Sequence, residues 1–316
     1  QHADAKELFD RLNKKFPEAH FKSAYEAGFC GFSVHYALMG YGFENIVVHA
    51  ADIPTTSKEK ALKTDAVDSE KIAWALKRDE LTGIYIKDKQ YMDDTNLMRL
   101  RQRFIMDLSR QKNRTKHLLY TQGVTYPERF RNNRTHWSRN FMKWLREEVE
   151  FLSEQKLSLM LLCEQVENTR MAILKVTREI RRLSTTDRYK ENYDLLTSVP
   201  GFGLTTSMSM LTELDNDIMR FPNERSFVAI LGLIPTCHDS GDKKVSGEKI
   251  NRGNKHLGPL IVEASWVAIQ RDLELSAYYS KCCQSMKPHK AIIKVARKLA
   301  CRAYAVLKTK TRYALP

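Results

Sequence analysis

The sequence predicts an α/β domain at the amino-terminal end of the chain, followed by an all-α region. Three observations support this division: strand-like and helix-like segments alternate over the first 90 residues, helical periodicity dominates after them, and a heptad pattern begins at Leu152. The 316 residues suffice for two or three domains, and the 42% hydrophobic content suffices to build their cores. We divide the chain into segments 1–95, 96–150, 151–194 and 195–316.

Residues 1–95 contain the strand-like segments. Short runs at 21–25, 45–49 and 83–86 predict strands, and residues 32–39 predict a helix between the first two. The chain begins inside a helix-like segment, and no opening strand precedes it. We therefore expect an amino-terminal truncation that removes one strand of the sheet.

Residues 96–150 form a basic segment. Between residues 97 and 146 there are thirteen Lys and Arg residues and two acidic residues, which accounts for most of the net charge of +14. Such an excess favours nucleic acid, because each phosphate contact releases counterions. The alternative is a helix face that contacts only solvent.

Two further features of the sequence bear on the cellular compartment. No apolar run approaches the roughly 20 residues that cross a bilayer, and no signal peptide is present. The six cysteines include no C-x-x-C pair. We therefore expect a cytoplasmic protein with reduced thiols, no zinc site and no membrane partner.

The segment 151–194 carries a heptad repeat that is typical of a coiled coil. Ten positions follow one another at alternating spacings of three and four, namely Leu152, Gln155, Leu159, Leu162, Val166, Thr169, Ile173, Val176, Ile180 and Leu183. A seam of this kind pairs either with another chain or with a second helix of the same chain. Because the sequence shows no second long heptad helix, we expect a homo-oligomer, a dimer or a tetramer, formed through this coiled coil.

The carboxy-terminal segment, 195–316, is predicted to be helical and to contain a helix-hairpin-helix. Its turn, Pro-Gly-Phe-Gly at 200–203, separates two helical stretches, and the glycines would let backbone N–H groups approach a phosphate. The alternative is a tight turn between two packed helices. Residues 257–271 and 289–308 predict two long helices, the second with an apolar stripe that belongs to the core.

Three carboxylates predict a metal site. Glu26 stands where the first predicted strand ends, and Asp65 and Asp68 stand at the start of a predicted helix. A spacing of three places both aspartates on one helix face, and carboxylates are preferred ligands of Mg²⁺. The alternative is that Thr64 or Asp65 only caps the helix and that the acids suit the helix dipole.

A candidate nucleophile, Ser240, precedes a glycine- and lysine-rich stretch that extends to Lys255. We expect this stretch to be a polar, mobile loop that presents the hydroxyl to a phosphate, although a serine before glycine is more often a turn residue. Ser246 is the competing candidate. A serine hydroxyl can attack phosphorus while Mg²⁺ neutralises charge on the phosphoryl oxygens, so the serine and the carboxylates together predict breakage and rejoining of DNA.

Eight short motifs are spread over nearly the whole chain. They are Tyr-Glu-Ala-Gly, Lys-Thr-Asp-Ala-Val-Asp, Ser-Val-Pro-Gly-Phe-Gly, Arg-Phe, Gly-Leu-Ile-Pro, Ser-Gly, Gly-Asn and Ala-Arg-Lys-Leu, at 25–28, 63–68, 198–203, 220–221, 232–235, 240–241, 253–254 and 296–299. In this order they resemble the DEDD insertion-sequence transposases of the IS one-ten type, which include the Piv-type invertases and the bridge-RNA-guided recombinases. The resemblance implies a RuvC/RNase H-like amino-terminal domain, a coiled coil, and a helical transposase domain that carries the serine.

The resemblance also implies roles for the candidate residues. Glu26, Asp65 and Asp68 resemble the second, third and fourth acids of the DEDD set, and Ser240 resembles the nucleophile. The first acid has no counterpart, since Asp4 stands in a helix-like context. Mg²⁺ as cofactor, DNA and a structured guide RNA as partners, and a bacterial or archaeal cell as the location follow from the same resemblance.

The candidate contacts to nucleic acid come from the basic segment, the turn at 200–203 and the stretch after the serine. They are Arg99, Arg103, Arg110, Arg114, Gly201, Gly203, Lys243, Lys244 and Arg252. Two alternatives to a recombinase stay open. A RuvC-like nuclease or resolvase would use the same acids to activate water without Ser240, and a catalytically inactive remnant would only bind nucleic acid.

Overall fold

The computed structural model describes residues 4–53, 64–233 and 253–315, together with the backbone of two strands between residues 235 and 249. The chain divides into two units, residues 1–89 and 90–316. The first unit combines strands with helices, and the second is mostly helical. The described residues therefore follow the predicted order of an α/β region and then a helical one.

The first unit is built around a parallel pair of strands. Its elements are α1 (Ala5–Lys15), β1 (Lys22–Glu26), α2 (Ser33–Gly40), β2 (Glu44–Val48) and α3 (Asp65–Lys77). α2 provides the crossover that a parallel pair requires, and the register runs from Lys22 opposite Glu44 to Glu26 opposite Val48. The strands predicted at 21–25 and 45–49 and the helix predicted at 32–39 are present.

One predicted strand of this unit is not formed. Ile84, in the segment 83–86, donates a backbone hydrogen bond to Val47 at 2.7 Å, but the segment does not continue the strand ladder. At the start of the chain, Asp4 is the N-cap of α1, and its carboxylate accepts hydrogen bonds from the N–H groups of Lys6 and Glu7. This cap explains the acid in the helix-like context.

The second unit contains nine helices in the described part of the chain and one antiparallel strand pair. They are α4 (Lys89–Thr121), α5 (Arg139–Glu147), α6 (Ser153–Ser184), α7 (Lys190–Leu196), α8 (Leu204–Glu213), α9 (Glu224–Ile230), β3 (Pro235–Ser240), β4 (Lys243–Lys249), α10 (Leu257–Ala268), α11 (Leu273–Cys283) and α12 (Pro288–Thr309). α10 and α12 correspond to the helices predicted at 257–271 and 289–308. Across the described residues, no helix has the length and apolar character needed to cross a membrane.

Two hydrophobic cores stabilise the second unit. In the larger core, the predicted stripe of α12 packs with α8 and α10, and Val295 and Leu299 are completely buried. The smaller core is aromatic and includes Phe130, Phe141 and Trp144. α4 and α6 contribute side chains to both cores, so they connect them.

α6 buries five of its ten heptad seam positions inside the chain. The buried seam positions are Leu159, Val166, Val176, Ile180 and Leu183. α4 packs beside α6 in the opposite direction: its first half shares the larger core with Ile180, and its end shares the smaller core with Leu159. Arg101 Nε also donates to Thr177 Oγ1 at 2.9 Å.

This packing favours the intramolecular helix pair, and the oligomer expected through the seam stays a prediction. The partner helix α4 is difficult to detect in the sequence because two of its buried positions are threonines. Thr95 and Thr115 donate hydrogen bonds to the carbonyl oxygens of Tyr91 and Gln111, at 2.7 and 2.9 Å. These bonds satisfy the buried hydroxyls, so polar residues occupy positions that a hydrophobic pattern would require to be apolar.

Candidate functional site

An acidic cleft in the first unit contains the three predicted carboxylates. β1 ends at Glu26, and α3 packs against β1 with Asp65 and Asp68 in its first turn. Together the three side chains line a cleft of about 550 Å³. Asp65 is exposed, whereas Glu26 and Asp68 are half-buried. The cleft is therefore open to solvent and is lined by negative charge.

Helix capping and cleft lining are both satisfied at the start of α3. Thr64 is the N-cap, and its hydroxyl accepts a hydrogen bond from the N–H of Val67 at 3.4 Å. Because the threonine performs the capping, Asp65 and Asp68 are not needed for it and line the cleft instead. The positive end of the helix dipole stabilises their charge.

Buried polar contacts hold the strands that carry this cleft. The Asn45 side chain on β2 donates to Ser23 Oγ on β1 at 2.8 Å, and its oxygen lies 2.7 Å from His35 Nδ1 on α2. The hydroxyl of Tyr25 on β1 donates to the carbonyl oxygen of Gly31 at 3.0 Å, and this bond holds the turn that follows the strand. Burial raises the pKa of Tyr25, so it remains a donor at neutral pH.

The carboxylates of the cleft are the type of ligand that Mg²⁺ binds. Among the described residues, no three His, Cys, Asp or Glu side chains lie close enough together to hold a metal ion by themselves. Mg²⁺ does not require such a set, because it commonly keeps several water ligands and is held by one or two carboxylates and a substrate phosphate. Glu26, Asp65 and Asp68 offer these carboxylates in a cleft with room for water and phosphate.

Ser240 ends β3, and the stretch predicted as a mobile loop contains an antiparallel strand pair. Ser240 lies opposite Lys243, and Asp239 lies opposite Lys244. The sequence between the paired strands is Gly241-Asp242, and a glycine-led two-residue connection is typical of a hairpin. That signal was available in the sequence. The side chains of Ser240, Ser246, Lys243 and Lys244, and all of Arg252, lie outside the described residues.

The chain on either side of this strand pair is held together by a close backbone approach. A Cβ atom added at Gly253 would lie 2.4 Å from the Cα of Gly232. The Asn254 N–H donates to the carbonyl oxygen of Ile230 at 2.6 Å. Its side-chain oxygen accepts from the N–H groups that begin α10. The strand pair therefore leaves and rejoins the helical core at one point.

A buried ion pair connects Asn254 to α4. Glu213 is 6% exposed. Its carboxylate accepts hydrogen bonds from Arg99 Nε at 2.8 Å and from Arg99 Nη2 at 3.0 Å. The Asn254 side chain donates to the same carboxylate at 3.0 Å. Arg99 therefore has a structural role as the cation that the buried carboxylate requires, and its contact with nucleic acid stays a prediction. Arg99 and Glu213 are 114 residues apart, and a sequence pattern does not reveal such a pair.

The other three α4 arginines that were predicted to contact nucleic acid lie on the exposed face of the helix. Arg103, Arg110 and Arg114 have spacings of seven and four, which places them on one side of the helix. The opposite side packs inward as the sequence predicts, with Phe104 against the larger core and Leu108 against the smaller one. Arg110 also pairs with Asp107 of its own helix at 2.8 Å, an exposed pair of little energetic weight.

Replacing Arg103, Arg110 and Arg114 together with glutamine is expected to weaken nucleic-acid binding and flatten its salt dependence. Each lost phosphate contact removes about 0.7–0.9 from the slope of log affinity against log salt. Fluorescence anisotropy of a structured RNA and of duplex DNA at several salt concentrations measures that slope. A matched control removes three exposed charges from α1, at Lys6, Arg11 and Lys14. An unaltered slope, or an equal change in the control, would show that this face contacts only solvent.

Gly201 is required for helix packing. Its φ of +87° requires glycine, and a Cβ atom there would lie 2.2 Å from the carbonyl oxygen of Ala264 on α10. This close approach favours the tight turn between packed helices, and a phosphate contact at Gly201 stays a prediction. Gly203, the N-cap of α8, has no neighbour that a Cβ would meet within 4 Å, and it is exposed.

Gly201→Ala is expected to destabilise the second unit by about 2 kcal/mol or more, since it forces α10 away and strains the backbone. Gly203→Ala is the matched control and should change stability by well under about 1 kcal/mol, because the site is open. Urea unfolding followed by circular dichroism measures both. Equal stability of the two variants would contradict the packing role.

Comparison with known proteins finds two family models that match separate parts of the chain. A family model described as "Transposase" matches residues 1–122, which include the acidic cleft. A second, described as "Transposase IS116/IS110/IS902 family", matches residues 193–280, which include the strand pair with Ser240. The chain is thus related to transposases by both units. Both matches are to transposase families, and they confirm the resemblance found in the motifs.

Three relatives carry matching names. The chain is 22% identical over 269 residues to "Putative transposase y4qE" of Sinorhizobium fredii, covering 84% of this chain and 62% of the relative. It is 26% identical over 294 residues to "Putative transposase y4rJ" of the same organism, covering 87% and 74%. It is 25% identical over 238 residues to "Transposase for insertion sequence element IS1111A" of Coxiella burnetii, covering 75% and 63%. The chain therefore spans less than two thirds of the length of two of these relatives.

Proposed function

We propose that this protein is a DNA transposase that excises and inserts a mobile insertion element, with Ser240 as nucleophile. The observation that carries the proposal is the cleft that Glu26, Asp65 and Asp68 line at the end of β1 and the start of α3. It lies within the part of the chain that matches the transposase family model. The second matched region contains the strand pair, and the first strand of that pair ends at Ser240.

The chemistry assigned to Ser240 is a transesterification. Its Oγ forms a bond to the phosphorus of the DNA backbone, and the bond from phosphorus to one strand's oxygen breaks. That oxygen leaves as a hydroxyl with the serine proton. In the reverse step, the hydroxyl of another strand end displaces the serine and rejoins the DNA. The energy of each broken phosphodiester is conserved in the phosphoserine, so no external energy source is required.

The carboxylates would support this step from the acidic cleft. Glu26, Asp65 and Asp68 would hold Mg²⁺, which when bound neutralises charge on the phosphoryl oxygens. Without a cation, the same cleft repels the phosphate, because all three side chains are acidic. Nucleic-acid binding is therefore assigned to the basic α4 face formed by Arg103, Arg110 and Arg114, and a structured guide RNA is one of its proposed ligands.

A RuvC-like nuclease is the second candidate, because the three carboxylates line a cleft within the first unit alone. Such an enzyme would activate water and would not form a bond between protein and DNA. The discriminating experiment incubates the full-length protein with Mg²⁺ and DNA that carries the element ends, followed by denaturing electrophoresis. A covalent protein–DNA adduct supports the transposase. Cleaved DNA without any adduct supports the nuclease and contradicts the serine mechanism.

The guide RNA has its own test. Nucleic acid that copurifies with the full-length protein is sequenced, and enrichment of one short structured RNA from the element supports a guided mechanism. Enrichment of DNA ends without RNA would contradict guidance and leave the transposase proposal intact.

A further inference from the structure

A basic notch lies between α5 and α6 in the second unit. It has a volume of about 360 Å³, and its lining includes Trp137, Arg139, Lys143, Arg146, Glu167 and Arg170. On α5, Arg139, Lys143 and Arg146 have spacings of four and three, so they share one helix face. The other face of α5 is buried in the aromatic core. The positions of these cations are therefore set by packing.

The cations of the notch outnumber its acids. Arg146 pairs with Glu167, and Lys143 lies 3.6 Å from Glu147. Arg139 and Arg170 have no acidic partner among the described residues. Two cations without acidic partners in a concave surface favour an anionic ligand, since an anion relieves their mutual repulsion.

α4 adds further positive charge beside the notch. Lys112 Nζ lies 5.7 Å from the centre of the Trp137 ring. Burial, followed by the charges of Arg170 and Lys116, lowers the pKa of Lys112. Lys112 is therefore crowded by like charges, which is the environment that a bound anion would stabilise.

Trp137 is held in a strained conformation at the edge of this notch. Its backbone φ is +68°, a value that residues other than glycine rarely adopt. Arg170 Nη2 donates to the Trp137 carbonyl oxygen at 2.6 Å, and the indole packs edge-on against Phe141. Strain of this kind persists where surrounding contacts enforce it, often at binding sites. Here the enforcing contact comes from one of the two unpaired cations.

We propose that this notch binds a phosphate group of a nucleic-acid strand, with Arg139 and Arg170 as its cationic ligands and the Trp137 indole beside the adjoining sugar or base. The inference rests on the proposed function in taking nucleic acid as the ligand. It assigns a contact outside both family matches, which end at residue 122 and resume at 193. A strand of linked phosphates suits the row of cations from α4, α5 and α6 better than one free phosphate.

The test compares two double variants with the same loss of charge. R139Q/K143Q removes two exposed cations of the notch, and K175Q/R181Q removes two exposed cations farther along α6. Short labelled single-stranded RNA, single-stranded DNA of the same sequence and duplex DNA are the probes, titrated by fluorescence anisotropy at several salt concentrations. Loss of one phosphate contact should lower the slope of log affinity against log salt by about 0.7–0.9 in the notch variant alone. The charge-preserving R139K/K143R should retain most of the wild-type slope.

A second readout comes from Trp137 itself. The chain has four tryptophans, so Trp137→Phe isolates the contribution of this one to any change in emission when the probe binds. The change should be largely lost in that variant. Equal slopes in the two double variants, or an unaltered emission change in Trp137→Phe, would overturn the proposal. The three probes show whether the contacted phosphate belongs to RNA, to single-stranded DNA or to duplex DNA.

These measurements do not depend on Ser240. If no covalent adduct forms while the salt slope of the notch variant changes as expected, the serine mechanism is wrong and phosphate binding at the notch is still supported. If the wild-type protein binds a probe and the notch variant keeps its slope, only the notch is overturned. Absence of binding to all three probes would overturn the notch and the nucleic-acid part of the proposed function together.

Discussion

Replacing Ser240 with alanine should abolish the covalent protein–DNA adduct formed by the full-length protein, and binding of nucleic acid should stay nearly unchanged. The substitution removes one oxygen and no charge, so the electrostatic attraction to phosphate is retained. Loss of a catalytic nucleophile typically lowers the rate by roughly a thousandfold or more. Denaturing electrophoresis of labelled DNA measures the adduct, and anisotropy measures binding.

Ser246→Ala is the matched control for this variant. Ser246 lies on β4, six residues after Ser240, and it also belongs to the strand pair. Its replacement should reduce adduct formation much less. If the Ser240 variant still forms the adduct and the Ser246 variant does not, the nucleophile has been assigned to the wrong strand.

Asp65→Asn and Asp68→Asn should each lower cleavage by at least about a hundredfold, because a neutral amide is a poorer ligand than a carboxylate for a hard cation. Stability without metal should hold or rise, because two carboxylates one helical turn apart in a shared cleft repel each other. Glu70→Gln provides a control on the same helix, since Glu70 is exposed and does not line the cleft.

Thermal unfolding tests the metal site separately from catalysis. A ligand that binds only the folded state raises its stability, so millimolar Mg²⁺ should raise the unfolding temperature of the wild-type protein and of the Glu70 control. The Asp65/Asp68 double variant should lose that gain. An equal gain in the double variant would exclude these aspartates as Mg²⁺ ligands.

Local patterns in the sequence predict the first unit well. Alternating residues and short apolar runs suffice for β1, α2 and β2, and helix capping signals suffice for the start of α3. The shared cleft of Glu26, Asp65 and Asp68 also follows from local signals, because a strand end and a helix start lie near each other when the helix packs on the strand. The motif resemblance supplied the family.

The sequence does not reveal contacts between partners that are distant in sequence. The heptad of α6 has the pattern of a coiled coil, but half of its seam packs inside the chain, and buried Thr95 and Thr115 obscure the apolar face of α4. Arg99 resembles its basic neighbours until the fold places the buried Glu213 beside it. Gly201 resembles a phosphate-binding glycine until α10 packs against it. In each case a tertiary contact decides a role that composition leaves open.

The approach of Gly253 to Gly232 has a consequence for how this protein can diversify. Because the chain departs from the helices and returns to them at nearly the same place, the intervening segment can lengthen, shorten or change sequence without displacing a single core helix. The entropy of closing such an insertion grows only slowly with its length. Chimaeras that carry a relative's segment joined at Gly232 and Gly253 should therefore keep the unfolding temperature of the host chain.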